Sequence, residues 1–113
     1  MIVWIDDLRN PECYGYPEAI WLGSNADYIA FLVDCLHDGI VDEIEEIHFD
    51  NDLGEVIEGY DIFLSLEEDL FNGNFKGLKR VYVHTSNPAA AQKFMLAKES
   101  FLRYGVEVIR NNY

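Results

Sequence analysis

Short apolar runs alternate with helical patterns along this chain, and that alternation constrains the fold more than any other feature. Residues 2–5, 44–49, 80–84 and 106–109 are rich in β-branched and aromatic side chains, which is typical of buried strands. Parallel strands need long crossover connections, and these are usually helices. The alternation therefore predicts a mainly parallel sheet with helices on both faces.

Local end signals delimit two of the helices. Ser24, followed three residues later by Asp27, is a capping box that opens a helix, and Gly39 is typical of the position just after a helix end. Asn87 is a natural N-cap, and the proline after it suits the first helical position. We therefore expect a single uninterrupted helix over residues 88–104.

The first connection of the chain is different from the others. Residues 8–17 contain two prolines and a glycine, which predicts a loop, and residues 19–22 fit a short strand. A further helix, less clearly delimited, is predicted over residues 56–71. We expect one α/β domain over residues 1–113, with a five-stranded sheet in a three-layer arrangement and a first crossover helix that is reduced or absent.

Charge is distributed very unevenly. The formal net charge is −13, and residues 1–75 contribute −18 whereas residues 76–113 contribute +5. An acidic surface of this size argues against non-specific DNA binding, which depends on Lys and Arg contacts to phosphates. It permits a divalent-cation site or a partner protein with a basic surface.

Composition places the chain among intracellular globular proteins. Half of the residues are hydrophobic, yet no run approaches the length of a membrane span. The first residues lack the pattern of a secretory signal, and the two cysteines fit reduced thiols better than a disulfide or zinc site. We expect a cytoplasmic protein.

Polar side chains follow three of the predicted strands where those strands end. Asp6 and Asp7 follow the first run, Asp50 follows the third, and His84 and Thr85 close the fourth. In open parallel sheets the carboxyl ends of the strands share one edge, and ligands bind there. We therefore expect these side chains to converge on one site.

The residue types at this edge suit phosphoryl chemistry. Three crowded carboxylates are hard oxygen ligands for Mg²⁺ or Mn²⁺. Thr85 and Ser86 precede a predicted helix N-terminus, where hydroxyl and backbone N–H groups bind phosphate. Arg9, which is the only Lys or Arg before residue 76, suits a bidentate phosphate clamp. His84 suits proton transfer.

Three short motifs carry a resemblance to a known family. They are DDLRNP at residues 6–11, FDNDLG at 49–54 and HTSNP at 84–88. Together they resemble the cyclic-phosphate-processing receiver domain, a divergent group of receiver-like proteins. The resemblance implies a flavodoxin-like receiver topology and an action on small cyclic phosphates in nucleotide or RNA-end metabolism.

The resemblance also implies roles for individual residues. It assigns Asp52 as a further acidic catalytic group, and it makes Arg9, His84 and Asn87 face the substrate. The resulting candidate site consists of metal ligands (Asp6, Asp7, Asp50), catalytic groups (His84, Asp50, Asp52) and substrate-binding residues (Arg9, Thr85, Ser86, Asn87).

Two positions depart from the patterns of these families. Asn51 stands where the cyclic-phosphate group is expected to have a histidine, and Arg110 is the only candidate for the lysine that receivers carry after the fifth strand. Because Lys and Arg are not interchangeable at such a site, a phospho-accepting receiver ranks third among the functions considered. An acidic interaction protein that binds a basic partner without catalysis ranks second.

Structural roles remain open for several of these residues. Arg9 could simply pair with the neighbouring acids, and His84 could be a structural partner with a fixed tautomer. Asn87 serves as an N-cap whatever else it does, and Asp52 could only shape a turn. His48, inside the third strand, is expected to be packed or on the surface rather than catalytic.

Overall fold

Five parallel strands form the sheet in the computed structural model, which describes residues 1–50, 59–85 and 88–111. The strand order is β2-β1-β3-β4-β5, and every neighbouring pair is parallel. The parallel receiver-like sheet is therefore confirmed. The strands are β1 (Ile2–Ile5), β2 (Ile20–Leu22), β3 (Glu46–Asp50), β4 (Arg80–His84) and β5 (Glu107–Asn111).

Four α-helices lie within the described residues. They are α1 (Asn25–Asp38), α2 (Gly59–Phe71), α3 (Pro88–Met95) and α4 (Lys98–Leu102). The ends of α1 agree with the sequence: the Ser24 hydroxyl accepts a hydrogen bond from the Asp27 N–H, and Gly39 adopts a left-handed conformation. The start predicted for the second helix, at residues 56–58, lies outside the described residues.

The predicted helix over residues 88–104 is wrong in one respect, because the chain forms two helices there. The N–H of Ala97 bonds to the carbonyl of Phe94, three residues back, and interrupts the α-helical pattern between α3 and α4. Phe94 and Phe101 are both fully buried on the two sides of this break. The interruption lets both phenylalanines reach the same core.

The core lies between the helices and one face of the sheet. Phe63 of α2 contacts Phe49 of β3 at 6.2 Å between ring centroids, Phe94 of α3 at 5.0 Å and Phe101 of α4 at 4.6 Å. Tyr28 of α1 contacts Phe49 at 6.5 Å. All four helices therefore pack on the face that carries Phe49.

We expected helices on both faces, and the opposite face is covered differently. The connection between β1 and β2 contains a 3-10 turn at Pro11–Tyr14 and no α-helix, as the reduced first crossover predicted. Tyr14 and Tyr16 from this connection contact the fully buried Trp4, at 5.8 and 5.5 Å between ring centroids. Without a crossover helix, aromatic side chains form the second cover of the sheet.

A tight contact fixes the loop before β4. Lys76 donates its backbone N–H to the Asp42 carboxylate at 2.9 Å, and Gly77 packs directly on the backbone carbonyl of Asp42. A Cβ atom at residue 77 would collide with that carbonyl. Glycine is therefore required here by space rather than by its backbone angles.

Candidate functional site

The loop after β1 folds around the side chain of Asp6. Asp6 is fully buried, and one of its carboxylate oxygens, Oδ1, accepts hydrogen bonds from the backbone N–H groups of Leu8 and Arg9, both at 2.9 Å. An Asp side chain that bonds the backbone two and three residues ahead is a common way to build a tight turn. The same bonds hold Arg9 beside the acids.

Two tryptophans fix this loop from both sides. The indole N–H of Trp4 donates to the carbonyl of Arg9 at 2.9 Å, and that of Trp21 donates to the carbonyl of Asp6 at 2.7 Å. The Asp6 N–H in turn donates to the carbonyl of Leu22 at 3.1 Å. Residues 6–9 are thus held by side chains of the two neighbouring strands.

Three carboxylates meet at the carboxyl edge of the sheet. Asp6, Asp7 and Asp50 each place a carboxylate oxygen within 4.8 Å of the others. Asp6 and Asp50 are buried and Asp7 is exposed, so the cluster opens to solvent at one side. β1 and β3 are adjacent strands, which explains why residues 44 positions apart in the sequence share a site.

Arg9 bridges the two buried carboxylates. Its NH1 atom lies 3.2 Å from Oδ2 of Asp6 and 3.6 Å from Oδ1 of Asp50. Partial burial disfavours the charge on the guanidinium, but the hydrogen bond and charge of Asp6 and the charge of Asp50 outweigh it and raise the pKa of Arg9. In this arrangement the arginine supplies the positive charge that the acids need.

The donor set fits a hard divalent cation. Mg²⁺ and Mn²⁺ prefer carboxylate oxygens and keep several waters, which suits a cluster with one open side. A cation at this cluster would compete with Arg9 for Asp6 and Asp50. The residues therefore fit the metal, provided that the guanidinium can leave them.

His84 lies beside the acids and inside an aromatic environment. It pairs in register with Asp50 across β3 and β4, and its ring lies 4.4 Å from that of Trp4. Burial lowers the pKa of His84 to about 3, with further contributions from His48 and the Arg9 charge. His84 is consequently neutral at physiological pH, so its ring can accept a proton, but the lowered pKa makes it a weak base.

His48 is a neighbour of His84 whose importance the sequence did not reveal. Its Nδ1 lies 2.8 Å from Nε2 of His84, and its Nε2 lies 3.3 Å from Oε1 of Glu46. Burial lowers the pKa of His48 to about 4, although the Glu46 hydrogen bond opposes the shift. The strict alternation in EIHFD was the available signal, because it places Glu46 and His48 opposite the core residues of β3.

Thr85 closes the site on the side of β5. It is buried, its N–H donates to the carbonyl of Asn111 at 3.1 Å, and its carbonyl accepts from Nε of Arg110 at 3.4 Å. Arg110, which we considered in place of the receiver lysine, thus bonds to a backbone carbonyl.

The predicted site residues divide into two groups. The structure brings together Asp6, Asp7, Asp50 and Arg9, with His84 and Thr85 on the adjoining strand end. Four further positions from the sequence analysis lie outside the described residues, namely Asn51, Asp52, Ser86 and Asn87.

The parallel order β2-β1-β3-β4-β5, with acids at its carboxyl edge, defines a receiver-like α/β domain. A comparison with protein families matches the cyclic-phosphate processing receiver domain over residues 1–100. The chain belongs to this family, as its three motifs indicated. Searches of curated proteins and of solved structures found no significant match.

The sequence also led us to expect that no segment spans a membrane. None of the helices within the described residues combines the length and the apolar character that a membrane-spanning helix requires.

Proposed function

We propose that this domain binds Mg²⁺ or Mn²⁺ at Asp6, Asp7 and Asp50 and hydrolyses a small cyclic phosphate at that site. The observation that carries the proposal is the cluster of three carboxylates, two of them buried, at the carboxyl edge of a domain from a cyclic-phosphate processing family. Buried acids in close contact need a compensating cation, and Arg9 supplies only one positive charge.

Arg9 has two alternative sets of partners in this proposal. Without ligand it hydrogen-bonds to Asp6 at 3.2 Å and forms an ion pair with Asp50 at 3.6 Å. Were Asp6 and Asp50 to hold a divalent cation, the guanidinium would be displaced and would donate to the oxygens of the phosphate, for which its planar fork is well suited. The proposal gives a reason for the position of Arg9, the only Lys or Arg before residue 76, beside Asp6 and Asp50.

His84 is the proton acceptor of the reaction. A water oxygen forms a bond to phosphorus, one ring P–O bond breaks, and the released alcohol oxygen is protonated, so that one water is consumed and a phosphomonoester results. His84, whose ring is neutral at physiological pH, takes the proton of the attacking water, and the protonated ring then gives a proton to the released alcohol oxygen. A bound divalent cation supplies charge stabilisation at the phosphoryl oxygens.

The remaining predicted residues complete the substrate site. Thr85, at the end of β4, donates its hydroxyl to the phosphate. Asp52 and Asn87 retain the roles that the family resemblance implies, as a further acidic group and a substrate-binding residue, and Ser86 retains the phosphate-binding role that its position before a predicted helix indicates.

Calorimetric titration of Mg²⁺ and Mn²⁺ into the wild type and into Asp50→Asn tests the metal site. We expect one binding event that is lost or at least tenfold weaker in the variant. Asp34→Asn is the matched control, because this acid is exposed on α1 and should bind metal like the wild type. Absence of binding in the wild type would overturn the proposal.

A substrate screen then tests the reaction. Cyclic nucleotides with 2′,3′- and 3′,5′-phosphates are incubated with the metal-loaded protein, and phosphorus NMR detects conversion to monoesters. Conversion by the wild type but not by Asp50→Asn supports hydrolysis, whereas metal binding without conversion limits the domain to ligand binding.

The acidic surface supports a second candidate function. Residues 1–75 carry a balance of −18, so a basic partner protein would be attracted. A partner that binds Asp50→Asn as tightly as the wild type would favour this function, and labelling of Asp50 by acetyl phosphate would favour a phospho-accepting receiver.

A further inference from the structure

A chain of hydrogen bonds runs toward His84 along the face of the sheet opposite the four α-helices. Arg80 donates to Oε2 of Glu46 from NH2 at 2.8 Å and from Nε at 3.2 Å. Oε1 of the same carboxylate lies 3.3 Å from Nε2 of His48, and Nδ1 of His48 lies 2.8 Å from Nε2 of His84. The chain begins at the amino end of β4 and reaches the candidate site.

The side chains of Arg80 and Glu46 fix the direction of every hydrogen bond in the chain. A guanidinium can only donate and an ionised carboxylate can only accept, so Nε2 of His48 must donate to Glu46. A neutral imidazole carries one N–H, and Nδ1 of His48 is therefore an acceptor. It follows that Nε2 of His84 carries the hydrogen and donates to His48.

The His48 ring is held in this orientation by its neighbours. It stacks on Tyr82 at 4.4 Å and 5°, and on Trp4 at 4.8 Å and 27°. The ring of Tyr16 meets its edge at 4.6 Å. His48 is fully buried, so rotation of its ring would require these aromatic contacts to separate.

We propose that Glu46 and His48 are positioning residues that fix His84 in the Nε2–H tautomer and so make its Nδ1 the proton-accepting atom. The proposal rests on the proposed function, in which His84 accepts a proton. It adds which nitrogen of His84 accepts the proton and which residues determine the tautomer. The arrangement follows the logic by which a carboxylate orients a catalytic histidine, here with a second histidine between them.

Glu46→Gln tests the direction of the chain. Arg80 can only donate, so the new amide must turn its oxygen toward Arg80 and its NH2 toward His48. Nε2 of His48 then accepts, Nδ1 donates to Nε2 of His84, and His84 is forced into the Nδ1–H tautomer. Nitrogen-15 NMR of the imidazole rings distinguishes the two tautomers directly in the metal-free protein.

Glu45→Gln is the matched control, because this neighbouring acid is exposed and lies 4.0 Å from the side chain of Lys79, away from the histidines. We expect the wild type and Glu45→Gln to show Nε2–H at His84, and Glu46→Gln to show Nδ1–H. The same tautomer of His84 in all three proteins would overturn the proposal.

His48→Phe is a second variant that keeps the stack on Trp4 and Tyr82 and removes the acceptor. We expect His84 to lose its single Nε2–H signal. An unchanged Nε2–H signal in this variant would show that His48 does not fix the tautomer, and would overturn the proposal even if Glu46→Gln failed to fold.

Kinetics separate this proposal from the proposed function. With a cyclic phosphate that the wild type hydrolyses, Glu46→Gln should lower kcat by about a hundredfold with KM and metal affinity unchanged, because only the proton acceptor is altered. A wild-type kcat in Glu46→Gln would overturn the positioning role alone. A wild type that converts no cyclic phosphate would overturn the proposed function, and the NMR measurement would still decide the tautomer.

Discussion

The arginine between the two buried acids makes a quantitative prediction for stability. Replacing Arg9 by Gln leaves the fully buried Asp6 with only its two backbone hydrogen bonds and Asp50 with one counter-charge fewer. Breaking a buried ion pair costs about 3–5 kcal/mol, whereas exposed pairs are worth about 0.2–1 kcal/mol. The Arg9 side chain is 28% exposed, so we expect a loss of about 2 kcal/mol.

Urea unfolding measures this loss. For a small domain with a slope of about 1–2 kcal/mol per M, 2 kcal/mol lowers the unfolding midpoint by about 1–2 M. Arg103→Gln is the matched control, because this arginine is exposed, and it should shift the midpoint little. A variant at residue 9 that is as stable as the wild type would refute the idea that Arg9 neutralises the buried acids.

Urea unfolding in the presence of Mg²⁺ tests whether a divalent cation displaces Arg9 from Asp6 and Asp50. A ligand at about a hundred times its Kd stabilises the folded state by about 2.7 kcal/mol, so Mg²⁺ at that concentration should offset the whole loss of about 2 kcal/mol in Arg9→Gln. The gain should be smaller in the wild type, where the cation must displace the guanidinium. An equal or larger gain in the wild type would contradict competition between Arg9 and the metal.

Three further predictions concern other parts of the structure. Burial lowers the pKa of both histidines, so the unfolded state takes up protons first, and the free energy of unfolding decreases as the pH falls from about 6.5 toward 4 and 3. His48→Phe should reduce this slope by about 1 kcal/mol per pH unit in urea unfolding at pH 4.5–6.5. An unchanged slope would contradict the neutral, buried state of His48. Gly77→Ala should destabilise the protein by about 2 kcal/mol in thermal unfolding, because the new Cβ meets a backbone carbonyl. In the control Gly23→Ala the Cβ would meet only a side-chain atom at 3.9 Å, so the melting temperature should not change. Equal melting temperatures of the two variants would contradict the contact at Gly77. Trp21→Phe should lower the free energy of unfolding by about 1 kcal/mol and weaken Mg²⁺ binding in calorimetry, because the carbonyl of Asp6 loses its indole donor. Wild-type affinity for Mg²⁺ would show that this hydrogen bond does not position Asp6.

Local patterns predicted most elements of the fold, but not the side on which they pack. The runs at residues 2–5 and 80–84 became β1 and β4 with the same bounds, because buried β-branched strands have a strong signal. The break at Ala97 has no local signal, since it depends on where Phe94 and Phe101 must meet the core. The aromatic cover on the second face follows from the reduced crossover between β1 and β2.

The contacts within the candidate site were also predictable only in part. Asp6 and Asp50 were predicted to meet, because strand ends of a parallel sheet share an edge. The contact of His48 with His84 could not be predicted, because it depends on strand register and on the tyrosines that cover the sheet. His48 was expected to be packed or on the surface, and it is packed, but its partner was not predicted.

The two indole hydrogen bonds described above give the protein a built-in optical probe. The chain has two tryptophans, and both indole N–H groups bond to backbone carbonyls of residues 6–9. Emission from Trp4 and Trp21 therefore reports on the loop that carries the acids. An exchange of partners by Arg9 should alter the fluorescence of the unlabelled protein, so rapid mixing with Mg²⁺ can time that movement without any substrate in hand.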